Sequence, residues 1–285
     1  MLSKGFRAEL IRFDEFSDAK LQNLRAADAE ADLHSVASLW SLSVAAAFGI
    51  TDDLTVGVRV PFILRHDIRE PEHDHVSPGA KIKSLGNVEG IGDTTFFSQY
   101  RFFKNKGTNV SIILGIKTPT GKTNRYSADG TELLETEFQP GSGSWDGITG
   151  LALTQVMGAF SFDASTVYTI SSEGDQSTDL GDISSYNFAA SYRLFGQKGL
   201  SYEAPKFAID TILEINGEWR DKEQTNGIND DNSGGNIVYI SPGLRFLAGK
   251  HISIGASFGI PIVQDTNGDQ TEPDYRVISS INLNF

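Results

Sequence analysis

The sequence predicts an all-β fold, a transmembrane antiparallel up-and-down β-barrel of about twelve strands spanning residues 1–285 as a single domain. Three observations predict it. The chain divides into alternating apolar and polar segments of about 11–15 residues, whereas soluble sheets favour about 5–6 and tilted membrane strands need about 9–11 or more. The links between segments are short and long in strict alternation. The last stretch, YRVISSINLNF, puts Tyr275, Val277, Ser279, Ile281, Leu283 and Phe285 on one face and stops on the aromatic. Such period-2 alternation marks a strand with a different solvent on each face.

The segments fall in order at about 5–14, 36–50, 54–66, 91–103, 108–120, 143–156, 159–171, 183–195, 206–220, 236–248, 251–263 and 273–285. The third carries Leu54, Val56, Val58, Val60 and Phe62 on one face, and the fifth Val110, Ile112, Leu114 and Ile116. In the ninth, Phe207, Ile209, Leu213, Ile215 and Trp219 alternate with Asp210, Glu214, Glu218 and Arg220. The eleventh shows Ile252, Ile254, Phe258, Ile260 and Ile262. The closing segment is expected to pair with the strand near Phe6 to Phe13. Short turns such as Thr51-Asp52-Asp53, Met157-Gly158 and Gly249-Lys250 would form one rim. The six long links, 15–35, 67–90, 121–142, 172–182, 221–235 and 264–272, would form the other and are expected to be extracellular loops.

Composition narrows the function classes. There are no cysteines, hence no disulfide framework, and the net charge of −13 argues against nucleic acid as a partner. Gly at 29 and Phe at 18 favour β structure with tight turns. No apolar run of about 18 residues exists, so no transmembrane helix is expected. The long links carry more net negative charge than the whole chain. That rim would bind divalent cations beside lipopolysaccharide or simply be solvated.

The face opposite the apolar one holds Arg7, Glu9, Arg59, Arg65, Asp93, Arg101, Lys117, Asp146, Asp163, Arg193, Asp210, Glu214, Glu218, Arg220, Arg245 and Arg276. Nearly all its bases are Arg, the residue preferred where ion pairs are confined and need forked donors. Asp163, Arg193, Asp210 and Arg245 lie at similar heights above the short-turn rim on four consecutive strands, with alternating sign. Arg65, Asp93, Lys117 and Asp146 do the same nearer the loop rim. Two lumen-lining charge ladders are therefore expected, with Arg59, Arg101, Glu214, Glu218, Arg220 and Arg276 as further lumen residues. Their role is to neutralise a polar interior or to orient a permeating solute. Trp40, Trp145 and Trp219 toward one end, and Phe285 with six other phenylalanines toward the other, would form two aromatic girdles.

Other motifs carry less. His66, His73 and His75 share one loop, but without a third fixed ligand no metal site is expected there. Asp265-Thr-Asn-Gly-Asp269 imitates half a calcium loop, and fails because Gln270 and Arg276 stand where Gly and Glu are required. Some twelve-stranded barrels are lipases, which need a His and a Ser together on the lipid side. None of the five His, His34 and His251 included, is placed so on an apolar strand face, and no enzyme is expected.

Four blocks carry a resemblance: SLSVAAAFGITDDLTVGVRVPFI (41–63), GIGDTTFFSQYRFF (90–103), LGIKTPTGKTN (114–124) and GSGSWDGITGLALTQVMGAFSFDASTVYTI (141–170). Their Gly90-x-Gly92-Asp93 strand opening, Pro119-Thr120-Gly121 strand exit and Gly143-to-Asp146 turn resemble the outer-membrane channel or transporter family of the meta-pathway of phenol degradation. The resemblance covers most of the chain in family order. It implies a barrel of the bacterial outer membrane that takes up small molecules passively, aromatic or hydrophobic compounds among them, with no cofactor. A non-conducting structural or surface-binding barrel is the alternative. Expected partners are the lipid bilayer and lipopolysaccharide, the barrel-assembly machinery through the C-terminal strand, and a small-molecule solute; the barrel is expected to be a monomer. Export requires a signal peptide, and Met1 to Phe6 has no apolar run, so the numbering is expected to start at a mature segment or a late gene start.

Overall fold

The computed structural model describes residues 2–28, 33–72, 81–196 and 206–285. Its elements are β1 (Leu2–Asp14), α1 (Asp18–Ala27), β2 (Ser35–Gly49), β3 (Leu54–Pro71), β4 (Ile82–Ile91), β5 (Thr94–Asn105), β6 (Thr108–Thr118), β7 (Asp146–Met157), β8 (Phe160–Ile170), β9 (Thr178–Asp179), β10 (Ile183–Phe195), β11 (Phe207–Arg220), β12 (Gln224–Thr225), β13 (Ile228–Asn229), β14 (Gly235–Ala248), β15 (Ile252–Thr266) and β16 (Glu272–Asn284). The main sheet runs β2-β1-β16-β15-β14-β11-β10-β8-β7-β6-β5-β3, and β2 pairs back onto β3. The result is a closed antiparallel barrel of twelve strands, with β4 continuing the position of β5 along the upper part of β3. Closure joins the ends of the chain: Phe6 lies opposite Ile281 and Ile11 opposite Arg276, and the backbone of Leu2 exchanges hydrogen bonds with that of Phe285.

The alternation is what drives this closure. A barrel leaves no unpaired edge for lipid to desolvate. Its outer face presents Val44, Phe96, Leu114, Leu151, Leu213 and Ile260, all exposed, as a continuous apolar wall. Apolar residues outside and charged residues inside invert the arrangement of a soluble barrel. Trp40, Trp145 and Trp219 are exposed toward the long-link end, and Phe6, Phe48, Phe102, Phe160, Phe207, Phe246 and Phe285 are exposed toward the short-turn end. Where Gly217 leaves a gap in the wall, the Tyr186 ring lies across it, so that a Cβ at residue 217 would sit 2.0 Å from the ring. An aromatic laid over a strand glycine restores cross-strand contact that the glycine lacks.

The structure departs from the sequence reading in the link 67–90. β3 continues to Pro71, and Ile82–Ile91 pairs with it as β4, so much of this link is a hairpin standing beyond the wall. The fourth wall strand starts at Thr94, not near residue 91. Irregular register at Arg65 and Ile68, with Gly86 at φ +84°, breaks the simple alternation that would have revealed it.

That hairpin supports the one apolar core among the described residues: Ile68, Leu85, Val88, Leu134 and Phe138, with Val36 packed against it. The link 15–35 also holds more than a loop. Ser17 caps α1 by accepting from the Lys20 amide at 3.2 Å, Asp18 stands in the first turn, and Leu21 is fully buried. Arg69 ties α1 down, reaching Asp18 at 2.6 Å, Glu15 at 3.2 Å and the Phe16 carbonyl at 3.0 Å.

Candidate functional site

Inside the wall the charged side chains meet at three levels. Nearest the short-turn rim, Asp210 of β11 is buried between two arginines. Arg193 of β10 holds it with a forked pair of contacts, and Arg245 of β14 reaches the same carboxylate at 2.9 and 3.2 Å. The register puts all three side by side. Asp163 does not join them. It lies opposite Ala189, four residues from Arg193, and accepts from Thr154 Oγ1 at 2.6 Å and Ser161 Oγ at 3.2 Å. Barrel stagger, invisible to a count of residues from the rim, separates it.

At mid-height Arg276 of β16 crosses the interior. Its guanidinium donates to Asn216 Oδ1 on β11 at 2.8 Å, lies 4.1 Å from the centre of the Tyr239 ring on β14, and is 3.7 Å from Glu9 on β1. Arg7 pairs with Glu9 at 3.1 Å. Below this bar is a cavity of about 570 Å³ lined among others by Arg7, Asp163, Glu214, Asn216 and Arg245. Above it is a second of about 300 Å³, between Phe13, Arg65, Phe138, Arg220 and Asp269. Arg220 pairs with Glu218 at 3.1 Å. Arg59 is opposite Ala45 and Thr95 on the same face as Arg65. Arg101 serves the rim instead: it holds Asp53 at 2.9 Å and the Asp52 carbonyl at 2.9 Å, clamping the turn after β2.

The third level is built by the link between β6 and β7, which folds into the mouth. Asp93, at the break between β4 and β5, accepts from the Gly121 amide, the Ser142 amide and the Ser142 hydroxyl, each at 2.8 Å. Lys117 lies 2.5 Å from Asp146 and 3.6 Å from Asp93, and Ser144 donates to Asp146 at 2.8 Å. Gly121 and Gly141 pass so closely that a Cβ on either would sit 2.6 Å from the other's Cα. Arg65 stands apart from this group, donating to the Phe138 and Gln139 carbonyls at 3.2 Å. Gln139 in turn bonds Arg125 backbone on both sides and the Leu134 carbonyl. The Gly90-x-Gly92-Asp93, Pro119-Thr120-Gly121 and Gly143-to-Asp146 motifs, far apart in the chain, thus converge around one carboxylate. Spacing alone does not show this convergence, because it depends on a loop that turns inward.

The histidines are placed differently from one another. His66 lies opposite Ser38 in the β2–β3 register. His73 and His75 lie outside the described residues. His34, unassigned in sequence, sits in the upper cavity beside Glu70, Glu135 and Glu137.

A closed twelve-strand barrel with an apolar exterior and a charged, partly filled interior defines an outer-membrane barrel protein. The particular group follows from sequence: residues 28–267 match the family described as "Putative MetA-pathway of phenol degradation", and the chain belongs to it. In fold the chain is similar to the COG4313 outer-membrane channel from Pseudomonas putida F1, at 14% identity over 100% of this chain and 95% of that one, with a TM-score of 0.60. It is also similar to the β domain of the Bordetella autotransporter BrkA, at 10% identity over 100% and 99% of the two chains, with a TM-score of 0.52. No curated protein matches it in sequence.

Proposed function

We propose that the chain is a monomeric channel of the bacterial outer membrane for passive uptake of small molecules, with aromatic or hydrophobic compounds as the favoured class. The observation that carries it is the interior: two cavities inside the wall, of about 570 Å³ with Arg276, Glu214 and Arg245 in its lining and of about 300 Å³ with Arg65, Phe138 and Arg220 in its lining. Membership of the family and likeness in fold to the Pseudomonas putida channel support the same reading. In it, Arg65, Asp93, Lys117, Asp146, Asp163, Arg193, Asp210 and Arg245 line the lumen with Arg59, Glu214, Glu218, Arg220 and Arg276. The tryptophans anchor the outer interface and Phe285 the inner one. The six long links face outside, both termini are periplasmic, and β16 is the strand offered to the assembly machinery. No catalytic role is assigned.

One observation favours the second reading, a non-conducting surface barrel: the inward link is hydrogen-bonded throughout its course, as a plug would be. Liposome swelling separates the two. A channel of this kind gives faster swelling in phenol than in a disaccharide of equal osmolarity. Equal and negligible rates in both, at a verified density of folded barrels, would support the plug.

A further inference from the structure

The lumen takes nearly all its positive charge from arginine; the short-turn end takes most of its own from lysine. In a chain of net charge −13, Lys4, Lys104, Lys106, Lys206 and Lys250 stand there against Asp52 and Asp53 among the described residues. Arg101 adds a further base and holds Asp53 at 2.9 Å. This rim is basic, whereas the long links are acidic.

Three of the lysines follow one arc. Lys4 lies on β1 opposite Leu283 of β16. Asn284 Nδ2 donates to the Lys250 carbonyl at 3.3 Å, and the Gly249 amide donates to the Lys206 carbonyl at 3.0 Å. The arc thus runs from β1 across β16, β15 and β14 to the start of β11.

Lys4 faces the lipid. Successive side chains alternate across a strand, so Lys4 shares its face with Leu2 and Phe6, both exposed on the outer wall. Its ammonium lies 5.6 Å from the centre of the Phe285 ring, exposed at the same end. A lysine so placed lays its stem on apolar surface and carries its charge to the headgroup layer. A compact ammonium on a flexible stem suits a phosphate diester there, whereas the confined carboxylates inside call for the arginine fork.

Beside Lys4 the wall is hollowed. A furrow of about 710 Å³, open on the lipid side, is lined by Leu2, Ala46, Phe48, Val58, Phe96 and Leu114 among others. Its cause is local. Ala46 stands between the exposed Val44 and Phe48 on the outer face of β2, and the register puts it between Lys4 and Val58. Val58 in turn faces Phe96. A cation at the headgroup level therefore adjoins a hollow with apolar walls.

From this arrangement we infer that Lys4 and the furrow at Ala46 form a binding site for an anionic phospholipid. Its phosphate diester lies against Lys4 and an acyl chain fills the furrow, with Lys206 and Lys250 extending the basic arc. Charge complementarity selects the headgroup, because a zwitterionic lipid brings its own ammonium to a rim that is already basic. The site requires the wall to stand in lipid and no solute to pass, so it stands or falls apart from the channel reading.

The test is native mass spectrometry of the full chain, refolded in detergent and titrated separately with dioleoylphosphatidylglycerol, dioleoylphosphatidylethanolamine and lipid A. Phosphatidylglycerol is expected to half-saturate the barrel at a concentration about fivefold below that of either other lipid. Lys4→Gln should abolish that preference, Lys4→Arg should retain it, and Lys122→Gln, on a long link, should leave it unchanged. Ala46→Phe, which fills the furrow, should weaken both phospholipids. Heat-modifiable gel mobility checks that each variant forms the barrel, and Ala46→Leu serves if Ala46→Phe does not. Phosphatidylglycerol bound no more tightly than phosphatidylethanolamine, a preference that survives Lys4→Gln, binding unaltered by filling the furrow, or lipid A bound equally well would overturn the site.

Discussion

The short-turn half of the barrel and its long-link end are stabilised by different means. In the first half the strands follow one rule, apolar outward and polar inward, save at the register shifts beside Arg101 and Arg193, and the lipid takes the place of a core. At the other end the rule lapses. There a buried cluster of Ile68, Leu85, Val88, Leu134 and Phe138 joins hydrogen bonds centred on Asp93 and Gln139, as in a soluble protein. The wall and the inward link can therefore be perturbed separately. Membrane burial sets the stability of one, and packing together with polar satisfaction sets that of the other.

The largest separation is expected from Phe138→Ala. Removing this buried ring from its cluster costs about 3–5 kcal/mol, charged to the link and not to the wall. Limited proteolysis should cut within 121–142 while the folded-barrel band on an unheated gel persists; loss of that band would show the two regions to be one cooperative unit. Leu114→Arg attacks the opposite side. Leu114 is half exposed on the apolar wall, and arginine at mid-bilayer there costs about 2–4 kcal/mol. Its urea midpoint in lipid should drop, whereas Ser111→Arg, on the inner face of the same strand, should change it far less.

The smallest effect is a matter of pH. Asp129, exposed in the inward link, accepts from the Ser127 hydroxyl at 2.6 Å and from the Thr131 amide and hydroxyl at 3.0 and 2.8 Å. These bonds, that from Ser127 foremost, hold its carboxyl down at about 2. A depressed carboxyl contributes stability in full above the ordinary carboxylate range, and loses it as pH falls through the folded value. The Thr131 amide resonance should therefore keep its position from neutral pH to about 3 and move only near 2; titration near 4 would contradict the turn.

How far the sequence discloses each region follows from the same contrast. The wall is legible strand by strand, Leu54 to Phe62 or Phe207 to Trp219, because a two-residue period survives in the chain itself. Closure of the last strand on the first is legible for the same reason. Asp210 between Arg193 and Arg245 can be read from height above the rim; Asp163 cannot, since stagger decides its neighbours. The β3–β4 extension hides behind an irregular register and its charged residues. α1 has a readable start in Ser17-Asp18, but a two-residue cap is a weak signal inside a long link. His34 is illegible, because its carboxylates come from β3 and from a turn far along the chain that meet only after the link folds inward.

On the channel reading, the inward link held by Asp93 governs passage through an otherwise open barrel. Single-channel conductance in planar bilayers is the decisive experiment, comparing the parent chain with Asp93→Ala. The substitution leaves the Gly121 and Ser142 amides without their acceptor, at about 1–3 kcal/mol for each unsatisfied group. Small steps in the parent chain and severalfold larger, noisier ones in the variant are the expected result. Identical conductance in both, or no channel events in either at a confirmed density of inserted barrels, would contradict it.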